Sequence, residues 1–140
     1  MKKKILLVDD DSSVRESIAR ALSYEGFHPL TAADGEEALR LAASDSVDLV
    51  LLDLNMPRKN GWDTFERLTA KHPLLPVIIV TARANQLFTA LAAGAGALIE
   101  KPVDFIQLLE TIRSLLNEPA EARLARLTGR TAQFRHITPA

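Results

Sequence analysis

Four short runs constrain this chain more than any other feature: Ile5–Val8, Asp48–Leu52, Val77–Val80 and Ala97–Ile99. Three are nearly all apolar, and the second is apolar after its first residue. Runs this short with no polar alternation have the pattern of parallel strands covered by helices on both faces. A fifth candidate, His28–Ala32, is weaker. It contains Pro29, and a residue with no N–H to donate belongs at a sheet edge.

Helical patterns alternate with these runs. Ser12 or Ser13 can cap a helix running to about Glu25, with Val14, Ile18, Ala21 and Leu22 as its apolar stripe and Gly26 as its stop. Asp34 caps Gly35–Ala43, with Glu37 three residues on in a capping-box arrangement. Gly61–Lys71 carries Trp62, Phe65 and Leu68 at helical spacing. A short alanine-rich helix covers about Asn85–Ala93 and ends at Gly94. Asp104 caps the last pattern, whose Phe105, Leu108, Leu109, Ile112 and Leu115 or Leu116 face inward, and Pro119 stops or kinks it. This reads as (βα)5 in residues 1–118. Right-handed crossovers place the helices on both sides of one parallel sheet.

Composition excludes several classes. With 47% hydrophobic and 25% charged residues among 140, the chain is a globular domain and not a disordered one. It has no cysteine, which removes disulfides and thiolate metal sites and fits a reducing, cytoplasmic setting. The basic start MKKK precedes only Ile5–Val8 before three aspartates, so no secretion-signal core exists there. The longest uncharged apolar stretch, Ala90–Ile99, is too short to span a bilayer. A net charge of −1 argues against direct nucleic-acid binding. That charge is unevenly spread: residues 1–118 hold 13 basic and 17 acidic side chains, and residues 119–140 hold four arginines and one glutamate.

The basic C-terminal tail, 119–140, has two readings. One is a frayed end. The other is a docked or partner-binding segment, with Ala120–Leu127 as one more short helix and Leu124, Leu127, Phe134 and Ile137 as docking residues. Arg123, Arg126 and Arg130 are expected on a solvated face, and His28, His72 and His136 at the surface, with no ligand spacing among them.

In a sheet of this kind the functional crevice lies beyond the carboxyl ends of the strands. Asp9, Asp10 and Asp11 follow the first strand, Asp53 the central apolar run, Thr81 the next, and Glu100 and Lys101 the last. A single acid at a strand end is ordinary, and one of Asp9–Asp11 is expected to cap a helix. Acids on neighbouring central strands are different, because they repel unless a cation intervenes. Oxygen ligands without His or Cys suit a hard divalent ion, Mg2+ or Mn2+. Lys101 adds a point charge, Thr81 a hydroxyl donor, and an aspartate is a competent nucleophile towards phosphorus. The set suits phosphoryl transfer, which asks a protein mainly for positioning and electrostatics.

ILLVDDDSSVR, LVLLDLNMPRKNGWD, VIIVTA and GAGALIEKP together resemble the receiver domain of bacterial two-component response regulators, over about residues 3–117. The resemblance implies a flavodoxin-like (βα)5 three-layer sandwich with strand order 2-1-3-4-5. It also implies roles. Asp53 would be the phosphoacceptor, taking its group from a histidine kinase or a histidine phosphotransfer protein. Asp9, Asp10, Asp53 and the backbone carbonyl of Asn55 would hold the metal. Thr81 would be the switch hydroxyl with Ala82 beside it. Lys101 would bind phosphate, ahead of a cis bond to Pro102 that aims it, and Gly61 would use its backbone freedom in the turn before the third helix.

Three departures bear on subtype. The usual aromatic switch position, three before the lysine, is Leu98. Thr81 and Lys101 are 20 residues apart, two fewer than is common in the family. Asn55 and Arg83 occupy the positions tied to phosphate lifetime. The expectation is a stand-alone receiver, a monomer or weak dimer, passing its signal to a downstream protein target. The alternative is a degenerate receiver acting as a constitutive interaction module. A dehalogenase-type phosphatase would want a second aspartate two residues after the first, where Asn55 stands.

Overall fold

In the computed structural model, the described residues are 2–54, 61–82, 86, 89–90, 93–127 and 135–139. They form strands β1 (Lys4–Val8), β2 (His28–Ala32), β3 (Leu49–Asp53), β4 (Val77–Thr81), β5 (Ala97–Glu100) and β6 (Arg135–Ile137). The helices are α1 (Ser12–Tyr24), α2 (Gly35–Ser44), α3 (Gly61–Lys71), α4 (Phe105–Asn117) and α5 (Ala120–Leu127). The expected helix at Asn85–Ala93 falls mostly outside the described residues. None of the described helices is long and apolar enough to cross a membrane.

The sheet is parallel throughout, in the order β2-β1-β3-β4-β5-β6. The first five positions reproduce the flavodoxin-like order, and β2 with its Pro29 is at the edge. Alternate residues of each central strand enter different cores. Leu6, Val50, Leu52 and Ile79 face α2 and α3, where Ala38, Ala42, Phe65 and Leu68 meet them. Ile5, Leu7, Leu51 and Ile78 face α1 and α4, against Leu22, Leu108 and Ile112. Burial on both faces leaves no place for a polar alternate, which is why these strands read as continuous apolar runs. Each such Leu or Ile removed from water contributes about 1.5–3 kcal/mol.

Local signals set the ends. Asp11, not Ser12 or Ser13, caps α1: its carboxylate accepts from the backbone N–H of Ser13 and Val14. Asp34 and Asp104 cap α2 and α4 as expected. Gly26 ends α1 with φ +91°, a conformation that disfavours a side chain.

The sixth strand was not among the expected elements. β6 lies outside β5 in the register Ala97↔Arg135, Leu98↔His136 and Ile99↔Ile137, so the tail is docked there and not frayed. Ile137 packs on the α1–α4 core. The expected solvated face of arginines is also corrected. Arg126 is buried and makes two bonds to Glu118. Arg123 donates to the carbonyl of Leu115 at 3.2 Å, near the end of α4, where the Glu118 N–H donates to the same oxygen. Both hold α5 against the domain. Leu124 is exposed; Arg130, Phe134 and the Leu127 side chain are outside the described set.

Candidate functional site

Four adjacent strands deliver one acidic rim. Asp9 follows β1, held in line by its N–H to the Ala32 carbonyl at 3.1 Å. Asp53 is the last residue of β3 and Thr81 the last of β4. Lys101 follows β5, and its N–H donates to the Thr81 carbonyl at 2.8 Å. The structure thus brings together Asp9, Asp10, Asp53, Thr81 and Lys101. Asn55 and Arg83 are outside the described residues.

Burial differs sharply within the rim. Asp53 is 3% exposed, Asp9 8% and Thr81 0%, whereas Asp10 is open to solvent. Lys101 Nζ lies 2.9 Å from Asp53 Oδ2, a charge-assisted pair that crosses the ends of three strands. Its ammonium is raised above the usual lysine range. Burial works against the charged form, but the hydrogen bond and charge of Asp53, with the charges of Asp9 and Asp10, outweigh it.

Asp9 carries the electrostatic tension. Burial pushes its carboxyl up to about 6; the N–H of Asp11 opposes that, the charge of Asp53 adds to it, and Lys101 opposes it. Carboxylate oxygens of Asp9, Asp10 and Asp53 all lie within 4.8 Å of one another. Two buried acids this close, with a third at the mouth, form a donor set of the type a hard divalent cation needs.

Two features escape a reading of residue types in order. Arg15, one turn beyond the Asp11 cap, folds back so that its Nη1 donates to the Asp9 carbonyl at 2.6 Å. Its partner is a backbone carbonyl, which leaves no signal in the residue types. Trp62, the second residue of α3, donates through Nε1 to Gln86 Oε1 at 2.9 Å, tying the start of α3 to the segment after Thr81. Gly61 serves a different purpose from the one expected. Its φ is not positive; a Cβ there would stand 2.6 Å from Leu54 Cα and 3.2 Å from the Asp53 carbonyl. Glycine lets α3 begin against the backbone of the Asp53 strand end. The Lys101–Pro102 bond is cis, as expected. Leu98 is fully buried in the α2–α3 core.

A parallel, doubly covered sheet with carboxylates on two central strand ends and a lysine paired across them defines a receiver-like α/β module. The chain belongs to the response regulator receiver domain family, whose profile matches residues 5–113. It is 42% identical over 118 residues to the response regulator MprA of Mycolicibacterium vanbaalenii, covering 83% of this chain and 51% of that one. The chain spans about half the length of the curated relatives it matches. A CheY-like receiver domain structure from Methanospirillum hungatei JF-1 superposes with a TM-score of 0.81 at 34% identity, covering 86% of this chain and 98% of that one. TrrA of Thermotoga maritima, solved in complex with Mg2+ and BeF, gives 0.75 at 33% identity, covering 81% and 98%.

Proposed function

We propose that this chain is a phosphorylation-dependent signalling switch or phosphorelay intermediate, in which Asp53 accepts a phosphoryl group from a phosphohistidine. The observation that carries the reading is the Lys101–Asp53 pair at 2.9 Å beside the three-carboxylate cluster. An Asp53 oxygen bonds to phosphorus as the phosphorus–nitrogen bond of the donor breaks. The electron pair of that bond returns to the ring nitrogen, and the imidazole, already protonated on its other nitrogen, leaves neutral. Lys101 supplies positive charge beside the acyl phosphate, and buried Thr81 supplies a hydroxyl donor one strand away.

Asp9, Asp10, Asp53 and the Asn55 carbonyl are the residues that would hold Mg2+ or Mn2+. When bound, such an ion lets the three carboxylates stay ionised together and offsets charge on the phosphoryl oxygens. TrrA supports that assignment by its Mg2+ and BeF complex. Arg15 fixes the Asp9 backbone and thereby the angle from which its carboxylate approaches.

The donor would be a histidine kinase or histidine phosphotransfer protein, and the receiver of the signal a protein target. A cavity of about 820 Å3 between α1 and the start of α4, lined by Val14, Ile18, Pro102 and Phe105 with Lys101 at its edge, offers an apolar seat beside the rim. Residues 1–118 would be the receiver unit and 119–140 its accessory segment, working in the cytoplasm. Turnover of outside substrates is not part of this role: the group stays on Asp53 until it is relayed or hydrolysed.

Incubation with Mg2+ and acetyl phosphate is expected to add about 80 Da to the intact mass, the increment of one phosphoryl group. Asp53→Ala should show no gain. A folded wild-type protein that takes up nothing would contradict the reading.

A further inference from the structure

Glu100 and Lys101 are consecutive residues that serve opposite sides of one strand end. Lys101 reaches inward to Asp53 Oδ2 at 2.9 Å. Glu100 pairs in register with Thr81, and its Oε2 accepts from His136 Nε2 of β6. The Lys101 N–H is bonded to the Thr81 carbonyl. A single backbone joint therefore links the Asp53 carboxylate, the buried hydroxyl of Thr81 and the contact that seats the last strand.

β6 is the most lightly held part of the sheet. It has three residues, and its Arg135 and His136 are exposed. Backbone pairing of that length is marginal without side-chain help. The help comes from Ile137 against the α1–α4 core, from Glu100 on His136, and from Arg135, whose Nη1 is 3.5 Å from Thr111 Oγ1. Leu98, the register partner of His136 on the same face as Glu100, is fully buried in the α2–α3 core and has no polar atom in its side chain, so the polar contact to this edge falls to Glu100.

We propose that Arg135–Ile137 is a cover on the outer edge of β5 whose seating is set by phosphorylation at Asp53, with Glu100 as the coupling residue. The inference rests on the phosphoacceptor reading. A phosphoryl group draws the Lys101 ammonium and the Thr81 hydroxyl towards its oxygens. The Thr81–Lys101 backbone bond carries Glu100 with them, the His136 contact opens, and β6 leaves. The bare edge at Ala97–Ile99 then accepts an extended segment by strand addition. The tail's own chemistry describes that segment: a polar residue able to donate to Glu100, followed by an apolar residue over the core beside Ile99.

Hydrogen–deuterium exchange on the full chain tests this, with the adduct verified by intact mass in the same sample. Peptides covering 97–100 and 135–140 should exchange about tenfold faster once Asp53 is phosphorylated, as expected of a local opening. His136→Ala, a change at an exposed position, should show the fast rate in both states. An adduct with unchanged exchange overturns this inference and leaves the phosphoacceptor reading standing. Absence of an adduct overturns both. A His136→Ala tail as protected as wild type overturns the role given to Glu100.

Discussion

The rim at the ends of β1, β3, β4 and β5 and the outer edge where β6 lies are built by opposite means. At the rim, side chains from four strands converge, and two of its three acids are buried. At the edge, three residues hold on by backbone pairing, one half-buried isoleucine, one carboxylate–imidazole contact and a long Arg135–Thr111 contact. The rim is held by the two cores beneath it, so electrostatic tension there does not disturb the fold. The edge has little beneath it and can respond to small displacements. The two meet at Glu100 and Lys101. Chemistry is placed where the sheet is stiffest, and movement where it is least secured.

The largest effect that would sharpen this contrast is expected at Lys101. Lys101→Ala leaves Asp53 buried without its cation, and phosphorylation by acetyl phosphate should slow by about 100-fold, the scale seen when one preorganised charge donor is lost. Stopped-flow Trp62 fluorescence with acetyl phosphate would read the rate. A rate within a factor of three of wild type would show that the pair at 2.9 Å is structural only.

Asp9 comes next, and its sign is opposite to that of an ordinary carboxylate. Its folded value of about 6 lies above the ordinary 3.8. Its contribution to stability is therefore fully present below about pH 3.8 and is lost as pH rises through about 6. Without divalent ions at pH 7.5, Asp9→Asn should stabilise the fold, by on the order of 2 kcal/mol, and the gain should vanish by pH 4. Urea unfolding at the two pH values measures it. Adding Mg2+ should narrow the gain by stabilising the wild type alone. A variant less stable than wild type at pH 7.5 would break the claim of tension at the rim.

The smallest effect belongs to the edge. Ile137→Ala should cost about 1 kcal/mol, within the low range for trimming a partly buried side chain, and should favour phosphoryl uptake slightly, because coupling between the two regions is reciprocal. A matching loss of phosphoryl uptake would contradict that coupling.

How much of this was legible depends on what each residue meets. The central strands were readable because burial on two faces removes polar residues altogether, and Asp53, Thr81 and Lys101 were readable because they terminate those runs. β6 was not: Arg135-His136-Ile137 has one apolar residue in three, and its pairing depends on an edge formed 38 residues earlier. The arginines of α5 look like a solvated face until Glu118 and the Leu115 carbonyl are placed against them. Arg15 shows the same limit, since its partner is a backbone carbonyl with no sequence signature. Gly61 was recognised as necessary but for the wrong reason; close approach to Leu54, not a left-handed backbone, demands it.

The central claim is that the phosphoryl group resides on Asp53. Borohydride reduces an aspartyl phosphate to homoserine and leaves free carboxylates untouched, so peptide mass spectrometry after Mg2+, acetyl phosphate and borohydride names the acceptor directly. Homoserine at position 53 alone is the predicted result. Homoserine at position 9 or 10, or none in a protein that has gained a phosphoryl group, would contradict it.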